Sequence, residues 1–136
     1  MLRKYEEVVC VYPEYTFHPI ESVENVNRFC DDNKLKFSII YDIEQLDIQV
    51  GKVYMVFEDI DLAFILEQAN SKKFRLRDDF GILAYNDTPM NRFIAEGITV
   101  ISTDFKLMGQ KAAEFALNNT KLDFLVPTEL IIRESL

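Results

Sequence analysis

Short apolar runs alternate along this chain with segments whose apolar residues recur every three or four positions. Val8-Val9-Cys10-Val11-Tyr12, Phe37 to Tyr41, Val53-Tyr54-Met55-Val56-Phe57, Phe80 to Tyr85 and Ile98 to Ile101 are nearly unbroken, the pattern of strands covered on both faces. Between them Ile20, Val23, Val26 and Cys30 fall at helical spacing after Pro19, which suits a first helical turn. Leu62, Ile65, Leu66 and Ala69 mark a second helix, with Asp59 or Asp61 placed to cap it. A third helix is predicted after Pro89, capped by Asp87 or Thr88, with Met90, Phe93 and Ile94 turned inward and Gly97 ending it. Asp104 is placed to cap a fourth, whose Phe105, Met108, Ala112, Phe115 and Ala116 share one side. The stretch from Asp42 to Lys52 is less periodic and reads as a short helix or an irregular crossover. The tail, Phe124 to Val126 and Leu130 to Ile132 around Pro127, reads as extended.

Strands that alternate with helices predict an α/β fold, a three-layer parallel sheet with helices on both faces. In such sheets ligands bind outside the carboxyl ends of the strands. That rule singles out three turns, Tyr12 to His18, Glu58 to Asp61 and Asn86 to Thr88, which should lie along one rim.

Composition narrows the possibilities. The 136 residues make one domain with room for a core, and 49% hydrophobic against 28% charged residues is ordinary for a folded soluble chain. A formal net charge of -8 gives no bulk attraction to nucleic acid or anionic lipid. Cys10 and Cys30 fall in a predicted strand and helix and read as reduced core residues of a cytoplasmic protein. No signal segment opens the chain and no apolar run approaches membrane-spanning length.

Catalytic chemistry finds little to stand on. Gly51, Gly81, Gly97 and Gly109 form no phosphate-cradling loop, and one histidine with two separated cysteines makes no zinc cluster. His18, in a loop at a helix threshold, reads as a cap or a solvated side chain before a catalytic one. Ser38, Ser102 and Ser135 lack the strained elbow and the base that a serine nucleophile needs. The expectation is a protein that is not an enzyme and carries neither metal nor cofactor.

Three motifs, "FGILAYNDTP", "GITVISTDFKLMGQKAAEFAL" and "VPTELIIRESL", come in an order and spacing that resembles the effector-binding domain of lactose/galactose-repressor-type regulators. The same type I periplasmic-binding-protein-like domain also occurs behind GntR-type winged-helix heads. The resemblance is strong from Val53 onward and weaker, but in register, from Tyr5 to Tyr41. It implies two hinged lobes with a small effector, sugar-like, in the cleft between them. This chain would supply the C-terminal lobe, residues 1–102 and 123–136, together with a helix over 103–122 that packs on the other lobe. Met1 is expected to mark a fragment boundary, with the first lobe and the DNA-binding head elsewhere.

By the resemblance, the family's cleft aspartate falls on Asp59 in "FEDIDLA", where a carboxylate can accept two hydroxyl hydrogen bonds. Glu58 stands where asparagine is frequent, and Tyr85, Asn86 and Asp87 take the place of the family's "YDD" turn. The effector-binding arginine of the lobe's first helix has no counterpart; Ser22 occupies its approximate place and Arg28 lies a turn and a half later. Tyr12 and Phe57 end buried strands and are candidates to stack on a ligand, with core packing the stronger alternative. Asp59 and Asp87 are equally explained as helix caps.

Without the other lobe, Phe105, Met108, Ala112 and Phe115 would face water, at about 1.5–3 kcal/mol for each large side chain. The helix is therefore expected to fold back on its own lobe or to pack against a second copy. The resemblance also implies homodimer contacts around Leu62 to Ala69 and Pro89 to Glu96. Two other readings remain. A phosphoacceptor receiver domain would have similar length and acidity, with Asp59 after the third strand, but Tyr12-Pro13-Glu14 lacks the acidic pair and Thr103-Asp104 the lysine. A pure dimerisation module would bind no ligand.

Overall fold

A computed structural model describes residues 4–118 and 123–136. Residues 119–122, the end of the segment expected to pack on another lobe, lie outside the described part. Five parallel strands, β1 (Glu7–Val11), β2 (Lys36–Ile40), β3 (Lys52–Val56), β4 (Gly81–Tyr85) and β5 (Thr99–Thr103), are joined by a sixth, β6 (Thr128–Ile131), antiparallel to β5. The sheet order is β2-β1-β3-β4-β5-β6. The predicted strands are all present within one or two residues, and the extended tail supplies β6.

Helices lie on both faces of the central strands, which is why β1 and β3 read as continuous apolar runs. On one face α2 (Asp59–Lys72) lays Leu62, Ile65 and Ala69 against Val9, Val11, Tyr54, Val56, Ile82 and Val100. On the other, α1 (Ile20–Asn33) places Val23 against Cys10, Met55 and Phe57. Cys10 and Cys30 are free and fully buried, and burial holds the Cys10 thiol up at about 12. The Asp42–Lys52 crossover is a single 3-10 turn, Ile43–Gln45, whose Asp42 side chain accepts from Glu44 N–H.

Several expectations need correction. No α-helix follows β4: two short 3-10 turns, Pro89–Arg92 and Ile94–Glu96, connect it to β5. Met90 and Phe93 point outward, 60% and 80% exposed, and Asn91 is the buried residue instead. The reason is geometric. Asn91 C=O accepts from Ile98 N–H at 2.7 Å, and Ala95 and Glu96 adopt positive φ, so the chain must turn before a third helical turn can form. No side chain caps α2 or the first of these turns, so neither Asp59 or Asp61 nor Asp87 or Thr88 has its expected capping role. Asp104 does cap α3 (Phe105–Asn118), its Oδ1 accepting from Leu107 N–H at 2.9 Å. No residue of α3 is buried, and Phe105, Met108 and Phe115 are exposed, so it does not fold back into its own lobe.

Gly81 starts β4 where Tyr5 and Leu136 close the bottom of the sheet. A Cβ there would meet Leu136 Cδ2 at 2.8 Å and the Tyr5 ring and hydroxyl at 3.0 Å. Gly81→Ala is expected to cost about 1–3 kcal/mol by overpacking, read as a lower denaturant midpoint at unchanged slope. Gly51→Ala, with nothing within 4 Å, clashes with no neighbour, and its penalty is confined to the positive φ.

Candidate functional site

The carboxyl ends of β1, β3 and β4 are neighbours in the sheet order, so the turns that follow them share one rim. Tyr12, Phe57, Tyr85 and His18 meet there. Phe57 is buried at the centre, with Tyr12 edge-on at 5.6 Å, His18 at 5.1 Å and Tyr85 at 5.5 Å between ring centroids. His18 also stands edge-on to Tyr85 at 5.0 Å. Tyr12 donates its hydroxyl to His18 C=O, folding the β1–α1 loop back over the strand ends. The ring faces of Tyr12 and Phe57 are thus largely used on one another and on His18.

The acidic side of the rim is the first turn of α2. Glu58 is half-buried, Asp59 is exposed, and Asp61 is fully buried. Two side-chain bonds tie the β1–α1 loop to this turn: Tyr15 donates its hydroxyl to Asp61 Oδ1, and Thr16 Oγ1 donates to Glu58 Oε1 at 3.0 Å. Asp61 Oδ2 has no partner. Burial pushes the Asp61 carboxyl above the usual carboxylate range, against the lowering effect of the Tyr15 bond. Tyr15 is raised well above an ordinary phenol, first by desolvation and then by its bond to Asp61.

Asp87 serves a different purpose. Arg133, 46 residues on, donates NH1 to Asp87 Oδ1 and NH2 to Oδ2, both at 2.8 Å. Arg133 NH1 also donates to Ile98 C=O at 2.8 Å, and Arg92 approaches Asp87 at 3.7 Å. The Arg133 bonds hold the Asp87 carboxyl below its usual range. The Asp87 backbone N–H donates to Ser102 Oγ, and Asn86, at φ 67°, turns the chain off β4. Asn86 Oδ1, Thr88 Oγ1 and Asn91 Oδ1 nearby are buried without partners. Asp87 and Asn86 therefore shape the turn and fasten it to the tail, while Asp59 is exposed and Glu58 is held by Thr16.

Among the described residues no three His, Cys, Asp or Glu side chains come together to hold a metal ion. An open apolar groove of about 750 Å³ runs along the α1 face, between Val26 and Phe29 of α1 and Met55, Leu83 and Ile101 of the sheet, and reaches Tyr85 of the rim. It exists because α1 covers only part of that face. With few polar groups, it offers a ligand little to recognise.

Of the residues expected to contact a ligand, Asp59, Glu58, Tyr12, Phe57, Asn86 and Asp87 all lie at or just past the ends of β1, β3 and β4, with the Asp87 carboxylate turned to Arg133. Sequence reasoning placed Tyr15 and Asp61 in the rim turns without their bond, took Asp61 only for a cap, and gave Arg133 no role. For Asp61 a signal existed: it lies four and eight residues before Ile65 and Ala69, on the buried stripe of α2, where a carboxylate is out of place. Nothing in the spacing pairs Tyr15 or Arg133 with carboxylates 46 positions away.

No family model and no curated protein matches this sequence. Solved structures do match its fold. A lactose repressor bound to the anti-inducer ONPF superposes with a TM-score of 0.78 at 17% identity, over 98% of this chain and 56% of that one. A periplasmic binding protein/LacI transcriptional regulator from Alkaliphilus metalliredigens, complexed with D-xylulofuranose, gives 0.75 at 14% identity over 96% and 57%. A LacI-family regulator from Arthrobacter sp. FB24 in complex with lactose gives 0.75 at 14% over 97% and 57%. The chain has the fold of one lobe of the type I periplasmic-binding-protein-like effector domain, and spans about half the length of the structures it matches.

Proposed function

We propose that this chain is the effector-sensing part of a transcriptional regulator, with its strand-tip rim forming one wall of an interlobe cleft for a small, sugar-like effector. The carrying observation is the rim itself. Three adjacent parallel strands end in an exposed carboxylate, a half-buried second one and a wall of aromatic edges, where such folds present ligands. Two of the matched structures hold a sugar, which agrees with a cleft built from hydroxyl acceptors. The acidic chain would reach DNA only through a head outside it, act in the cytoplasm, and pair as a homodimer. The exposed apolar side of α3 supports a packing partner, either another lobe or a second copy.

Asp59 is the residue to test. Being exposed and unbonded to other side chains among the described residues, it should alter stability by no more than about 0.5 kcal/mol when replaced. In a thermal-shift panel of mono- and disaccharides on the native protein carrying this chain, at least one sugar should raise the melting temperature. Asp59→Ala should remove that rise. A flat response to every sugar by the unsubstituted protein would overturn the sensing role and favour a module that only pairs subunits.

A further inference from the structure

Asp61 is 0% exposed, yet it carries an ionisable group into the first turn of α2. A carboxylate has about four acceptor sites; among the described side chains Tyr15 alone donates to it, and Oδ2 receives nothing. Leaving buried acceptor capacity unfilled is costly, and buried polar groups without partners are few in folded proteins. The group that does reach Asp61 is poorly anchored. Tyr15 is 48% exposed, its neighbours Glu14 and Phe17 are exposed too, and the loop's remaining side-chain bond to α2 is Thr16 to Glu58. Tyr15 is thus tied to the buried carboxyl by its hydroxyl, from a loop whose neighbouring side chains face solvent.

Resting on the effector-binding reading of this rim, we propose that Asp61 is the acceptor for a hydroxyl or ammonium donor of the effector, and that Tyr15 is a strap residue that holds the position until the ligand replaces it. The exchange conserves one O–H···O bond and adds a second donor at Oδ2. A phenol hydroxyl on a movable loop is a stand-in for a ligand hydroxyl, so the closed loop and the ligand compete for one carboxylate. The surroundings set the class of ligand. Glu58, Asp59 and Asp61 lie within one helical turn, while the guanidinium of Arg133 is committed to Asp87 and that of Arg92 leans on it. A neutral polyol or a small amine fits this field; a phosphorylated or carboxylated molecule is repelled. The aromatic edges of His18, Phe57 and Tyr85 on the same rim suit either the C–H face of a polyol or a cation.

If the closed loop occupies most molecules, its removal raises apparent affinity by the inverse of the open fraction. The test is a side-chain NMR titration of the protein with glycerol, ethanolamine and glycerol phosphate, following the Asp61 carboxyl carbon and the Tyr15 ring. Glycerol or ethanolamine should move both signals together, glycerol phosphate neither. Tyr15→Phe should lower the half-saturating concentration at least about threefold, and Asp61→Asn should weaken binding of the same probe. A response to ethanolamine alone identifies an ammonium donor, and to glycerol alone a hydroxyl. Signals of Asp61 and Tyr15 that stay fixed while Phe57, His18 and Tyr85 shift would overturn the Asp61 role and leave rim binding standing. Silence from the whole rim counts against both. An unchanged half-saturation in Tyr15→Phe would remove the strap, whatever the behaviour of Asp61→Asn.

Discussion

Replacing Asp87 with alanine is expected to lower stability by about 3 kcal/mol, a fall in melting temperature on the order of 10 °C for a domain of this size. The reason is what the substitution leaves behind. Arg133 is held in a fork by both Asp87 oxygens, and the side chains of the pair are only 13% and 15% exposed. Its aliphatic stem runs across Gly97, whose hydrogen would become a Cβ 3.0 Å from Arg133 Cδ. The guanidinium therefore cannot swing freely to water once its partner is gone. Removing both charges, as in Asp87→Ala with Arg133→Met, should cost less than Asp87→Ala alone, the pattern of a pair whose broken half is worse than its absence. Acid supplies a second check. Asp87 is more acidic folded than unfolded, so its contribution is present above the unfolded value of 3.8 and is lost as pH falls through the lower folded value. The stability gap between the unsubstituted chain and Asp87→Ala should hold from neutrality down to the unfolded value of 3.8 and close as pH falls from there through the lower folded value.

Ser135→Ala should be the next most damaging change, at roughly 2–4 kcal/mol for two orphaned buried backbone groups. β4 and β5 pair only from Leu83 and Thr99 onward. Just below that point Ser135 Oγ sits between them, donating to Ile82 C=O at 2.6 Å and accepting from Thr99 N–H at 2.7 Å. The Ser135 carbonyl accepts from Ile82 N–H at 3.0 Å. One fully buried serine thus closes the ladder where the strands diverge. Without its hydroxyl the Thr99 amide loses its acceptor. Native-state hydrogen exchange should show Thr99 losing protection beyond that of neighbouring Val100, and a midpoint unchanged by Ser135→Ala would refute the stitch.

These two residues mark the boundary of what was legible in the sequence. The strands could be read because burial on both faces writes itself as Val8 to Tyr12 or Val53 to Phe57, runs that leave few other choices. Helices α1 and α2 could be read from their apolar spacing, and the rim followed from strand order alone. Capping could be read at Asp104 but not at the other two helix starts, because a carboxylate there has competitors: Asp61 is claimed by Tyr15 and Asp87 by Arg133. The segment after Pro89 carries helix-like spacing in Met90, Phe93 and Ile94, yet it has only nine residues, Pro89 to Gly97, in which to reach β5. Backbone bonding from Asn91 to Ile98 decides the outcome there. Tertiary pairing, invisible in local pattern, overrode propensity at each of these places. Likewise the stripe on α3 was visible as an amphipathic face, but none of its residues is buried against this lobe.

The most direct measurement is hydrogen–deuterium exchange on the native protein carrying this chain, with and without whichever sugar raises its melting temperature. New protection should gather in residues 12–18, 57–61 and 85–87, the three turns of the strand-tip rim. Protection confined to the groove between Val26, Phe29 and Leu83, or to the outer surface of α2, would contradict a ligand cleft at the strand tips.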